Sequence, residues 1–396
     1  MCTAQRKKER KMRHAIFKLT LATAAVCLAF AAEAQAADVI KIGVNQPLTG
    51  AVAASGNFVT NGARIAADEI NAKGGINGSK IELVIEDNKS NPTEAANAAE
   101  KLIVRDKVPV MLGAWSSTYT LAVMPKLMEY KIPMLVETSG ADKITTSGNP
   151  YVFRICPTNG MEAVSFARHV TPLNIRKADM LVVNNDWGRG SAEAFQAMLK
   201  GKGVTIGRVL TMDAAAQDMT SQLSTLKGTD SETLFVTTAV EQLTLVLKQA
   251  QSLGLKRRII TLGGSQSPNQ LIEHAGSAAN GSMHNMMFAP WFPEASADPV
   301  AAKAFIAEWN KRGYDGAGLT EGFRGYDGIR TIVVAIAKAG SPDPEKIRDA
   351  LWKTELTGLT GKIAFKKVGP QGKESGQSTP NTYLVKIENG KVWLVQ

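Results

Sequence analysis

Long hydrophobic runs are missing from this chain. The longest, at 19–32, holds about fourteen mostly apolar residues, short of the roughly 20 that a membrane-spanning helix needs. Cysteine is scarce, with three in 396 residues: Cys2, Cys27 and Cys156. The first two fall in the leader described below, so Cys156 has no intrachain partner, and a chain of this length can build a core that needs no disulfide. Its neighbours Arg154, Ile155 and Pro157 read as a strand end, so the thiol is expected to be buried and inert. Catalytic signatures are absent as well: there is no G-x-S-x-G, H-E-x-x-H, C-x-x-C or G-x-x-x-x-G-K-[ST]. Gly201 and Gly203 with Gly207 resemble a dinucleotide turn only superficially, because they follow a helical stretch rather than a strand. His169, His274 and His284 lack the spacing of metal ligands. No catalytic residue, metal or cofactor is therefore expected, and the chain is not read as an enzyme. Charge of one sign is concentrated rather than spread. Of the net +10, the first 36 residues carry +5, and the remaining +5 is diluted over the rest of the chain, which argues against a nucleic-acid partner. With 44% hydrophobic and 21% charged residues, disorder and a collagen-like repeat are excluded too.

The amino-terminal segment has the layout of an export signal. A basic head is followed by the apolar run and then by Ala34, Gln35 and Ala36, the small-x-small pattern that signal peptidase cuts. Cleavage is expected after Ala36, which makes the mature protein periplasmic. A start at Met12 would give a leader of conventional length. Val26 before Cys27 does not fit a lipid-attachment site, so a tether is not expected.

Along the mature chain, short apolar runs alternate with helical patterns, the rhythm of parallel sheets with crossover helices. Strands are read at 39–45, 81–87, 108–113, 134–137, 180–184, 204–212, 233–237, 258–262 and 283–288. Helices are read at 57–72, 92–105, 118–130, 161–170, 191–200, 241–254, 298–312 and 322–339. In the first of these, Phe58, Gly62, Ile65, Ala66 and Ile70 recur every three to four residues before Gly74 and Gly75 stop the helix. The last stretch changes character, with strands at 362–367, 383–387 and 391–396 around a turn-rich segment. A mature chain of this size implies two α/β lobes.

Open α/β sheets bind ligands beyond the carboxyl ends of their strands, which selects three loops here. The first runs from Gln46 through Gly50 to Ser55 and Gly56, the second through Trp115, Ser116, Ser117 and Thr118, and the third through Thr138, Ser139 and Gly140. Hydroxyls and amides in these loops suit a carboxylate or another small anion. Ser116, Ser117 and Thr118 are equally good helix caps, so each hydroxyl alone is ambiguous.

The stretches Lys41, Ile42, Gly43, Val44 with Pro47, Leu48, Thr49, Gly50, then Glu69, Ile70, Asn71 through Gly74, Gly75, Ile76, Asn77, Gly78, then Glu86, Asp87, resemble the opening of the leucine/branched-chain amino-acid type periplasmic binding proteins. These are receptors of ABC importers. The resemblance runs through Trp187, Gly188, Gly254, Leu255, Tyr326 and Asp327. It implies the type I periplasmic binding fold: α/β, two lobes of parallel sheet flanked by helices, and three hinge crossovers. The lobes are expected at 37–158 plus 288–380 and at 159–287 plus 381–396. It also implies a small-molecule ligand clamped by hinge closure and permease subunits in the inner membrane as partners of a monomeric receptor. By position, Ser117 matches the serine that binds the ligand carboxylate, while Thr138, Ser139 and Gly140 match the adjoining loop. Trp187, flanked by Asn185 and Gly188, is read as an aromatic wall on a loop of the second lobe. Thr238 and Ser265 are further candidates on that side. Two departures bear on the ligand. The stretch Gly263, Gly264, Ser265, Gln266 lacks the acidic residue that meets the ammonium in amino-acid-binding members, with Glu321 as a substitute from the other lobe. Ser55 replaces a tyrosine, while Trp115 and Tyr119 supply a new aromatic wall. A small organic acid, aromatic or aliphatic, is favoured over an amino acid, and an amide remains open. A sensory module signalling to a membrane receptor is the alternative role. A repressor of similar shape is disfavoured, because a leader stands where its DNA-binding helices would be.

Overall fold

The structure is a computed structural model that describes residues 39–263 and 266–395. The leader, its cleavage site at Ala36, and Ser265 lie outside the described residues. Sixteen strands are present among them: β1 (Ile40–Gln46), β2 (Ile81–Asp87), β3 (Met111–Gly113), β4 (Met134–Val136), β5 (Val152–Arg154), β6 (Lys177–Val183), β7 (Thr205–Met212), β8 (Thr233–Thr237), β9 (Arg258–Thr261), β10 (Met283–Met286), β11 (Glu355–Gly358), β12 (Gly361–Ala364), β13 (Lys366–Val368), β14 (Ser375–Gln377), β15 (Tyr383–Glu388) and β16 (Lys391–Leu394). They form two seven-stranded sheets, in the orders β13-β14-β5-β4-β3-β1-β2 and β16-β15-β10-β9-β8-β6-β7, with β11 and β12 as a separate hairpin. The chain passes between the two sheets three times, after β5, after β10 and after β14. This is the two-sheet α/β architecture that the sequence rhythm implies.

Strand alternation sets the layers. In β6 and β8, Leu181, Leu234 and Val236 pack against Leu243, Val246 and Leu247 of the helix Val240–Ser252 on one face. Their neighbours Met180, Val182 and Phe235 pack against Phe166, Phe195 and Leu199 on the other, the period-two pattern of a strand covered on both sides. The first sheet repeats the arrangement. Ile42, Leu112 and Phe153 meet Phe305, Trp309 and Ile329, while Met111, Met134 and Val152 meet Ala99, Val123 and Leu127.

Several elements differ from the expected ones. Both sheets end in antiparallel strands, β13 against β14, and β15 against β10 and β16. For the β13–β14 and β15–β16 pairs the physical reason is the connection length: no crossover helix follows β13 or β15, and a chain that turns back at once can pair only antiparallel. Asn389 and Gly390, at φ 51° and 68°, supply the two left-handed residues of a tight hairpin turn between β15 and β16. The helix read from 57 begins at Ala53, and the one read from 191 begins at Asp186. Four short helices escaped the sequence reading, Lys143–Thr146, Thr220–Leu226, Pro268–Ala275 and Pro344–Leu351, as did strands β5, β11 and β14. At three to eight residues, these are too short for periodicity to show.

Cys156 is buried, and burial pushes its thiol up to about 12, so it is an inert core group. His284 sits fully buried between the Thr261 and Ser282 hydroxyls, at 2.8 and 2.9 Å, with its basicity lowered by burial to about 3. Both match what the sequence implies.

Candidate functional site

Parallel register brings the carboxyl ends of the central strands to one edge of each sheet. Asn45 of β1 stands beside Gly113 of β3, and Gln46 beside Asp87. In the second sheet Val182 stands beside Thr237, and Val236 beside Thr261. The loops leaving those ends enclose a cavity of about 260 Å³. That is near the lower edge of small-molecule pockets, roughly 300 Å³, so the space suits a metabolite rather than a peptide or a sugar chain. The first sheet contributes the loops at 51–52, 115–119 and 138–140. The second contributes Val183, Asn185 and Trp187 after β6, Ala214 and Ala215 after β7, Thr238, Ala239 and Gln242 after β8, and Gly263 after β9. None of the described lining residues is charged.

Of the candidates from sequence, Trp115, Ser116, Ser117, Thr138, Ser139, Gly140, Trp187 and Thr238 all line this cavity. Ser117 opens the helix Ser117–Tyr130, and its neighbour Ser116 makes no side-chain cap bond. The N–H groups of the first helical turn therefore have no intrahelical acceptor and offer donors to an anion. The Ser117 hydroxyl accepts from the Ala141 N–H at 3.0 Å, which ties two loops together and leaves its own proton to donate. Ser139 is more committed: its hydroxyl is 2.7 Å from that of Thr120 and donates to the Trp115 carbonyl at 3.0 Å. Trp115 has φ 64°, a region bulky residues seldom adopt and one that recurs in functional loops.

Ser117→Ala is expected to act twice. Losing a hydrogen bond to a charged ligand group should weaken binding by about 1.5–2 kcal/mol. Leaving the Ala141 N–H unpaired should lower stability by about 1–2 kcal/mol. Calorimetric titration and thermal melting read the two separately; melting alone would fall if the hydroxyl were only a tie between loops.

Two candidates are placed elsewhere, and a third lines the cavity from a different element than expected. Ser55 lies inside the helix Ala53–Ala72, 3% exposed, and does not reach the cavity; the loop that was expected to present it ends earlier. Glu321 is 3% exposed within the helix Leu319–Ala339 and pairs with Arg324 at 3.0 Å instead of lining the cavity. A buried guanidinium beside it is the stronger claim on its charge. Trp187 does line the cavity, but as the second residue of the helix Asp186–Gly201 rather than from a loop. Asn185 caps that helix by accepting from the Gly188 N–H at 2.9 Å, and the same Asn185, Trp187 and Gly188 that suggested a loop are in fact its first turn. Behind Trp187, Gly263 has φ 94°, and a Cβ there would run into the indole ring. Gly140 lies under the same indole.

The acidic groups near the site are engaged behind it. Gln46 donates to Glu137 at 2.8 Å, and Arg324 donates to the Glu137 carbonyl at 3.4 Å. Burial raises Glu137, and it pushes Glu162 up to about 8 despite Arg324. Neither residue lines the cavity.

Beside the cavity, the two sheets are joined through Asp186. Its Oδ1 lies 2.7 Å from Lys143 Nζ, and its Oδ2 accepts from the Thr118 hydroxyl at 2.8 Å. Arg189 approaches the same carboxylate at 3.4 Å. Burial opposes the charge, but Lys143 and Thr118 outweigh it and hold the carboxyl below its ordinary range. Thr118 and Lys143 follow strands of the first sheet, and Asp186 follows β6 of the second, so this contact exists only while the two edges face each other closely.

Tyr119 lines the cavity as the aromatic-wall reading implies, whereas Val52, Ala214, Ala239, Gln242 and Gly263 were not among the residues singled out as ligand contacts. The signal for most of them was available: each of Ala214, Ala239 and Gly263 comes within two residues of a strand end, where such loops bind.

A family model described as "Periplasmic binding protein" matches residues 39–391. The Leu/Ile/Val-binding protein BraC3 of Rhizobium johnstonii is 31% identical, over 95% of this chain and 98% of that protein. Among solved structures, a leucine binding protein LivK from Thermotoga maritima is 29% identical with a TM-score of 0.79, covering 90% of this chain and 98% of that one. A solute binding protein of an ABC transporter from Rhodopseudomonas palustris BisB5, in complex with 3,4-dihydroxy benzoic acid, has a TM-score of 0.78 at 24% identity, covering 90% and 96%. That last likeness shows the fold alone.

Proposed function

Because the chain belongs to the periplasmic binding protein family, we propose that it is an extracytoplasmic receptor that captures a small carboxylic acid, aromatic in preference, and delivers it to an ABC import permease. The lobes are 37–158 with 288–380 and 159–287 with 381–396, one around each sheet, and they close on the ligand about the three crossovers. The observation that carries the ligand class is the uncharged lining of the cavity, walled by Trp115, Tyr119 and Trp187. An α-ammonium brought into such a space would lose its hydration without meeting a carboxylate, at a cost of several kcal/mol (~3–5). A carboxylate fares better, since the first turn of the helix Ser117–Tyr130 and the Ser117 hydroxyl provide donors. Flat aromatic rings also match the three aromatic side chains, which favour offset or edge contacts. The Rhizobium and Thermotoga relatives are named for leucine-type ligands, whereas the Rhodopseudomonas neighbour holds an aromatic acid in the same fold. The absence of a charged group among the described lining residues supports acids lacking that ammonium over leucine-type ligands.

Titrating leucine, its keto acid and benzoate under one buffer tests the reading. Benzoate and the keto acid are expected to bind at least about tenfold more tightly than leucine, a difference of about 1.4 kcal/mol. Glu321→Gln should lower thermal stability and leave that ranking unchanged, because its charge is engaged by Arg324. Submicromolar leucine binding that disappears in Glu321→Gln would restore the amino-acid reading.

A further inference from the structure

Two polar atoms in the cavity wall have no protein partner. Trp115 Nε1 and Thr238 Oγ1 are both closed off from solvent and unbonded, on residues 6% and 1% exposed that line the cavity. The side-chain donors around them are engaged with backbone carbonyls. Gln266 donates to the Thr238 carbonyl at 2.7 Å, Gln242 to the Ala214 carbonyl at 2.6 Å, and the Tyr119 hydroxyl to the Ser90 carbonyl at 2.8 Å. Buried groups of this kind are nearly always paired, and exceptions mark places where a ligand or water completes the bond. The two residues also lie close together in the cavity wall. Trp115 belongs to an apolar cluster with Val52, Val59 and Ala239, and Ala239 follows Thr238 directly in the chain. The hydroxyl assigned to the carboxylate, that of Ser117, is tied separately to the Ala141 N–H.

The chemistry of the pair narrows what fits. An indole N–H only donates, whereas a threonine hydroxyl both donates and accepts. A ligand hydroxyl takes a bond from the first and exchanges one with the second; a hydrocarbon edge leaves both unmade. We propose that Trp115 and Thr238 form a second polar subsite that selects acids carrying a hydroxyl group away from the carboxylate. This rests on the organic-acid reading above and adds to it a requirement for a second oxygen. Sites built to bond a hydroxyl reject the analogue lacking it far more strongly than apolar pockets reject an added methylene.

The test is a comparison of benzoate with 3- and 4-hydroxybenzoate on the mature protein, repeated on Thr238→Val and Trp115→Phe, with melting curves to confirm folding. At least one hydroxybenzoate is expected to bind about tenfold or more tightly than benzoate. Thr238→Val, which keeps the shape and removes the hydroxyl, should bring that ratio down toward one, and Trp115→Phe should lower it as well. A ratio near one in the unmodified protein, or a high ratio that survives both substitutions, overturns the subsite while leaving the acid reading intact. Failure of all three acids to bind overturns both.

Discussion

Trp187→Ala is expected to weaken binding of aromatic acids by about 2–3 kcal/mol, roughly 30- to 150-fold, the range of a buried aromatic anchor. A short aliphatic acid should lose only about 1 kcal/mol, because it covers less of the ring. The side chain is half-buried, so its loss removes little of the core. Its indole fills the space over Gly140 and Gly263, which a side chain at Gly263 would otherwise occupy. Thermal stability should therefore fall modestly, while the ratio between aromatic and aliphatic ligands collapses. Equal losses for both ligands, measured by calorimetry, would mean that the ring fills space without reading the ligand's shape.

The second large effect concerns closure. Asp186→Ala removes the carboxylate that meets Lys143 and Thr118 across the facing sheet edges and Arg189 on its own helix, and should weaken binding of any ligand by about 2 kcal/mol, near 30-fold. Most of that comes from the hydroxyl bond. Lys143 is more than half exposed, and exposed ion pairs contribute about 0.2–1 kcal/mol, so Lys143→Met should cost far less and lose its effect in high salt. Because the contact forms only when the two edges are together, the loss should appear mainly as faster release. The radius of gyration of the ligand-free protein should exceed that of the ligand-bound one, by X-ray scattering. Slower association with unchanged release, or a uniform drop in stability without weaker binding, would assign Asp186 to holding its own helix start rather than to closure.

Much of this molecule is written locally. Strands such as β2 and β8 are bounded by turn residues and were located to the residue; in β8 a buried run covered on both faces admits no other placement. The helix at Ser117 and the donor loops after β3 and β4 followed from one rule about strand ends, which selected six of the eight candidates that line the cavity, Trp187 and Thr238 coming from the family resemblance. Other features were not local. Nothing in the order of residues says that Glu321 finds Arg324 one turn further on its own helix before it can reach a ligand. Likewise, capping by Asn185 decides that Trp187 stands in a first turn, not a loop. Sequence patterning determined the layers, the strand ends and the chemical types near them, since burial and hydrogen bonding act on every residue through its immediate neighbours. Tertiary structure alone decided which of those groups are already satisfied by distant partners and which, like Trp115 Nε1 and Thr238 Oγ1, are left unpaired beside an empty space, because a side chain's remaining bonding capacity depends on everything packed around it.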